Sequence, residues 1–252
     1  MTNTTRFEIL GSDSKLIVGD RLLGHNRQLL FITGFLSKRW GTKSKALAEL
    51  CRKQHWGFCC FDFRGNGDSE GAFRDYTLYD WLDDSRRVIH MIKDGPPVTI
   101  IGSSLGGWLA WILGQECEYA HQLVLLAPAF NMMNKRAEEI PASRRDQWEK
   151  TGWMPWADDA LHGNFPLSWK WVEESKTLWA QRFHIRLRIS TTILHGLQDD
   201  VIPPQGSWDF TEELLKQDSQ YPIELLLKNG DHRFSSPANL ATFLELASLP
   251  QE

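Results

Sequence analysis

The chain has 252 residues, 42% of them hydrophobic and 24% charged, with a net charge of −4. That length and composition fit one large α/β domain, or a domain with an insertion, and leave enough chain to bury a substantial core. The mild acidity gives no reason to expect a nucleic-acid partner, the amino terminus shows no signal pattern, and no apolar run is long enough to cross a bilayer.

Residues 6–10 and 14–23 alternate apolar and polar positions around Gly11-Ser-Asp-Ser, which predicts an antiparallel hairpin at a sheet edge. Gln28 to Thr33 reads as a buried strand ended by Gly34. Residues 43–54 carry Ala46, Leu47, Leu50 and Cys51 at helical spacing. Phe58 to Phe61 reads as another buried strand, in which adjacent Cys59 and Cys60 point to opposite faces. With Cys51 and Cys117 they show neither zinc nor disulfide spacing, so a reducing compartment is expected and the cytoplasm is the predicted address. The glycine-rich turn from Asp62 to Gly71 is acidic. Asp62, Asn66 and Asp68 do not match the oxygen-ligand spacing of a calcium loop, so a structural turn is expected there, and no metal or cofactor is predicted anywhere. Residues 78–93 read as a helix with Trp81, Leu82, Val88, Ile89 and Ile92 inward.

Val98 to Ile101 then runs into Gly102-Ser103-Ser104-Leu105-Gly106 and a helix-like apolar stretch. This is the strand, tight turn and helix of the G-x-S-x-G nucleophile elbow, with Ser104 at its tip. Ser103 cannot take that place, because its flanks are Ile101 and Leu105 where glycines are needed.

Strands follow at Leu123–Ala127, around Thr192–Leu194 and at 222–228, with helices at 205–216 and 237–248. The alternation predicts a mostly parallel sheet with helices on both faces. Residues 131–186 break it. They hold Trp148, Trp153, Trp156, Trp169, Trp171 and Trp179, half of the chain's 12 tryptophans. The expected organisation is a core of 1–130 and 187–252 with a helical cap, or lid, of 131–186 whose aromatic side chains line a pocket for an apolar substrate portion.

A serine hydroxyl needs a base within hydrogen-bond reach, and the base needs an orienting acid. On this fold they follow in the order serine, acid, histidine. His232, after the last strand, is the expected base. Asp199, after the strand ending in His195-Gly196, is the expected acid, with adjacent Asp200 as the competing carboxylate and Asp231 supporting the loop. His195 is expected to tie down that loop; His25, His55, His90, His121, His162 and His184 have no evident partner. The developing oxyanion calls for two backbone N–H groups, from Leu105 after the nucleophile and from Phe35 after Gly34.

Asp62-Phe-Arg-Gly-Asn-Gly-Asp-Ser, Gly102-Ser-Ser-Leu-Gly-Gly, His195-Gly-Leu-Gln-Asp and Gly230-Asp-His together resemble the α/β-hydrolase superfamily. Gly34-Phe-Leu-Ser, Gly41-Thr-Lys, Gly102-Ser-Ser-Leu-Gly-Gly-Trp-Leu, His195-Gly-Leu-Gln-Asp-Asp and Asp231-His-Arg are similar to its palmitoyl-protein thioesterase and acyl-glucuronide esterase group. The resemblance implies an α/β-hydrolase fold and a serine hydrolase of thioesters or carboxylic esters, with Ser104, Asp199 and His232 as its triad. The group's animal members are mitochondrial, an address not expected here because the sequence starts near its first strand with no arginine-rich presequence. Many superfamily members have His before the oxyanion-loop glycine; this chain has Thr33.

The expected partner is a small-molecule acyl ester or thioester, or an acylated protein. The alternatives are a carbon–carbon hydrolase or aminopeptidase using the same residues, and a non-catalytic receptor of the same fold. Serine rather than aspartate at the elbow disfavours a dehalogenase or epoxide hydrolase.

Overall fold

The computed structural model describes residues 4–155 and 166–249. The edge hairpin is present, with β1 (Thr5–Leu10) antiparallel to β2 (Leu16–Leu22). There follow β3 (Gln28–Ile32), α1 (Thr42–Gln54), β4 (Gly57–Phe61), α2 (Leu78–Met91), β5 (Val98–Ser103), α3 (Leu105–Gly114) and β6 (Ala120–Leu126). Next come α4 (Met132–Glu139), α5 (Ala142–Thr151), β7 (Trp153–Pro155), β8 (Pro166–Ser168) and α6 (Lys170–Ala180). The chain ends with β9 (Ser190–Gly196), α7 (Gln205–Gln217), β10 (Ile223–Lys228) and α8 (Pro237–Ser248).

Among the described residues, one eight-stranded sheet runs in the order β1-β2-β4-β3-β5-β6-β9-β10. β2 is antiparallel to β1 and β4, and every pair from β4 to β10 is parallel. The continuous apolar runs of β3 and β4 follow from burial on both faces, as parallel strands under two helix layers require. Side chains alternate between the layers. Leu29 and Phe31 join Leu47 of α1 and Phe243 of α8 on one face. Leu30 and Ile32 join Trp81 of α2, Trp108 of α3 and Phe210 of α7 on the other. Cys59 and Cys60 fall in opposite layers for the same reason. Because the strands run parallel, the loops after β3, β4, β5, β6, β9 and β10 gather along one edge of the sheet.

The 131–186 stretch, read as helical, also contains a short antiparallel ribbon, with Trp153 of β7 opposite Ser168 of β8. Three-residue strands are too short to show alternation within so aromatic a context. Trp156 and His162 lie outside the described residues. Trp148 and Trp169 are buried edge to face at 5.2 Å. Trp171 meets Trp81 at 4.9 Å and donates its indole N–H to the Tyr76 carbonyl at 3.1 Å, rooting α6 in the core beside α2. No helix among the described residues is long and apolar enough to cross a membrane.

Candidate active site

β5 ends at Ser103 and α3 begins at Leu105, so the whole turn falls on Ser104, at φ 56° and ψ −123°. A non-glycine residue held in so sparsely populated a conformation costs about 1–3 kcal/mol and persists only where its surroundings enforce it. Here the Ser104 N–H donates to the Leu126 carbonyl at 2.8 Å, and the Ser104 carbonyl accepts from Gly107 and Ala129 at 2.9 and 3.0 Å. The flanking glycines are dictated by space. A Cβ on Gly102 would run into the backbone of Gly106, and one on Gly106 into the carbonyl oxygens of Ile32 and Thr33.

His232 lies on the loop between β10 and α8. Its Nε2 is 3.1 Å from Ser104 Oγ and its Nδ1 is 2.7 Å from Asp199 Oδ2. The loop is held from several directions. The Gly230 carbonyl accepts from Gln198 at 2.9 Å, the Asp231 carboxylate accepts from the Phe234 N–H at 2.8 Å, and the Lys43 ammonium donates to the Arg233 carbonyl at 2.7 Å. Asp231 therefore supports the loop, as expected.

Asp199, just beyond β9, has a fully buried side chain. Its Oδ1 accepts the N–H groups of Val201 and Ile202 at 3.0 and 2.8 Å, and its Oδ2 accepts from His232 and from His195 Nε2 at 3.1 Å. Burial opposes ionisation, but the hydrogen bonds from His195, His232 and Ile202 outweigh it and hold the carboxyl well below the usual carboxylate range. Asp200, the competing carboxylate, is exposed. His195 ties down its loop through the Ile202 carbonyl at 2.8 Å, and in addition touches Asp199, which the sequence reading missed. Its four-residue spacing from Asp199 was the available signal.

Gly34 passes directly against the nucleophile turn: a Cβ there would sit 3.1 Å from Ser104 Cβ. Phe35 follows, its ring packed against Phe73, Trp81 and Trp171 at centroid distances of 5.6, 5.9 and 5.6 Å. Leu105 opens α3, where a backbone N–H has no acceptor within the helix. The acidic turn after β4 is filled by a cation from the protein itself. Arg39 reaches Asp20 and Asp68 at 2.7 and 2.8 Å and also binds Asp62. Among the described residues, no group of three or more His, Cys, Asp or Glu side chains is placed to hold a metal ion. A cavity of about 1050 Å³ lies along α1 between Trp40 and Trp56, and neither Ser104, Asp199 nor His232 lines it.

A serine on a strained strand-to-helix turn, with an acid and then a histidine following at later strand ends, has the chain order of the α/β-hydrolase class of fold. Residues 29–243 match the Alpha/beta hydrolase family, and the chain belongs to that family. It is 29% identical over 224 residues to the palmitoyl-protein thioesterase ABHD10, mitochondrial, of Homo sapiens, covering 87% of this chain and 71% of that protein. The structure of the mouse alpha/beta hydrolase domain-containing protein 10 superposes with a TM-score of 0.82 at 24% identity, over 96% of this chain and 97% of that one. A solved structure from Agrobacterium vitis S4 superposes with a TM-score of 0.85 at 25% identity, over 97% of both chains.

Proposed function

We propose that this protein is a serine hydrolase of thioesters or carboxylic esters, with Ser104 as nucleophile, His232 as general base and Asp199 as the acid that orients the base. The observation that carries this reading is the unbroken line from Ser104 Oγ through the His232 ring to Asp199 Oδ2, at 3.1 and 2.7 Å. Ser104 attacks the acyl carbonyl as His232 Nε2 takes its proton. The N–H groups of Phe35 and Leu105 hold the oxyanion. His232 returns the proton to the departing thiolate or alkoxide, and water activated by the same ring then releases the acid and regenerates the serine.

Residues 131–186 are proposed to act as a lid, beginning just after β6, where the chain leaves the sheet at the site edge. The substrate proposed is a medium or long acyl chain on a small-molecule donor or an acylated protein. The thioesterase name of the relatives agrees with that choice of substrate. The buried, unpaired cysteines are compatible with a reducing compartment, and a cytoplasmic address remains part of the proposal.

A p-nitrophenyl ester should give a burst of product equal to the enzyme present, and a fluorophosphonate probe should label Ser104; both should vanish in Ser104→Ala. Undiminished turnover in that variant would reject Ser104 as nucleophile, and an unlabelled wild type would favour the receptor reading. A panel of acyl thioesters, esters, aminoacyl amides and carbon–carbon substrates separates the proposed chemistry from its alternatives.

A further inference from the structure

Asp199 is bound by a second histidine. Oδ2 of Asp199 lies 2.7 Å from His232 Nδ1 and 3.1 Å from His195 Nε2. His195 is fully buried, and the same Nε2 is 2.8 Å from the Ile202 carbonyl oxygen. Both neighbours of Nε2 are acceptors, so this nitrogen carries the proton. On the other side of the ring, Nδ1 is 2.7 Å from the hydroxyl of Ser207, a fully buried residue of α7. With Nε2 protonated, Nδ1 has a free lone pair and the Ser207 hydroxyl donates to it.

We propose that His195 is a positioning residue for the Ser104–His232–Asp199 line. Held in one tautomer by Ser207 and Ile202, it shares its Nε2 proton between the Ile202 carbonyl and Asp199 Oδ2, the oxygen that His232 uses, and so adds a hold on Oδ2 to the one that the Val201 and Ile202 N–H groups have on Oδ1. Two consequences follow. The carboxylate cannot turn away when His232 becomes charged, which preserves the geometry of proton transfer. A donor that shares Oδ2 also draws charge from it, so the pull of Asp199 on the His232 proton is weaker than a singly bound carboxylate would exert. Charged groups at the His232 loop include Asp231 and Arg233 on the loop itself and Lys43 from α1, and Asp200 follows Asp199 in the chain. Among the described residues, only the two histidines place a titratable side chain on Asp199.

The inference rests on the hydrolase reading for its kinetic arm only. Glutamine at 195 extends an amide nitrogen to about the place of Nε2, whereas the shorter asparagine reaches Ser207 but not Asp199. Expected for His195→Asn is a fall in kcat/KM of ten-fold or more, with the acid limb of its pH profile moved up by about half a unit. The downfield proton signal of His232 Nδ1–H should move further downfield, and His195→Gln should restore each readout towards wild type. Unchanged acid limb and proton signal in folded His195→Asn would overturn the proposal.

The nitrogen NMR shifts of the His195 ring in the wild-type protein test it without a variant that must fold. An Nε2–H tautomer supports it, and a proton on Nδ1 alone overturns it. Both NMR readouts remain valid if the wild type fails to react with a fluorophosphonate, the outcome that would sink the hydrolase reading.

Discussion

Arg39 closes on Asp62 twice. Its backbone N–H donates to Oδ1 at 2.6 Å and its guanidinium to Oδ2, locking the loop after β3 to the turn after β4. Asp62 is fully buried, and the Arg39 side chain is 9% exposed. Removing one partner of such a pair leaves an uncompensated buried charge, which costs about 3–5 kcal/mol. Arg39→Met should therefore lose roughly that much in urea unfolding. It should also lower kcat, because Phe35 is carried on the same loop. A loss below about 1 kcal/mol would show that the buried Asp62 does not depend on this cation.

Gly106→Ala tests the packing of the nucleophile turn. The added methyl meets backbone carbonyls of Ile32 and Thr33, which belong to the central sheet and its edge loop and cannot swing aside as a flexible side chain would. A destabilisation of about 1–3 kcal/mol is expected, together with loss of fluorophosphonate labelling as the Ser104 hydroxyl is displaced. Wild-type labelling in a fully stable variant would contradict the steric account.

Asp199 should make the fold sensitive to acid. Its carboxyl titrates below the ordinary range when folded and near about 3.9 when unfolded. The unfolded chain therefore binds the proton first as pH falls. The stabilisation from ionised Asp199 is complete above the unfolded value and drains away as pH drops through that value towards the lower, folded one. Asp199→Asn has no such group, so its stability should decline less than that of wild type between about pH 5 and pH 2. Parallel stability profiles for the two proteins would refute this. At neutral pH the same variant should lose turnover by about 10³–10⁴-fold, because the acid that orients His232 is gone.

The cysteines should be bystanders. Cys51, Cys59, Cys60 and Cys117 are all buried and unpaired. Burial pushes the thiols of Cys51 and Cys59 up to about 12, and Cys60 well above its ordinary value, so thiolate is scarce at neutral pH. Iodoacetamide should leave native activity unchanged and modify the chain only in denaturant. Rapid inactivation of the folded protein would place a thiol in the chemistry.

Much of the site was legible because its first requirement is local. Only residues without a Cβ fit beside Ser104, and Gly102 and Gly106 advertise that whatever the rest of the chain does. The continuous apolar runs of β3 and β4 and the apolar spacing of α2 are also local, so the element order and the two covered faces could be read directly. The ribbon of β7 and β8 could not, since three-residue strands owe their form to each other and to the packing of α5 and α6.

The sequence by itself determined a strained serine turn, a following acid and histidine in the required order, and a sheet able to carry them, because these depend on neighbouring residues and on periodicity. Tertiary structure alone decided the distances from His232 to Ser104 and Asp199, and that Arg39 holds three carboxylates from two segments, Asp20 of β2 and Asp62 and Asp68 of the turn after β4. Contacts between residues so far apart in the chain are set by strand register and crossover, and no local pattern encodes those distances.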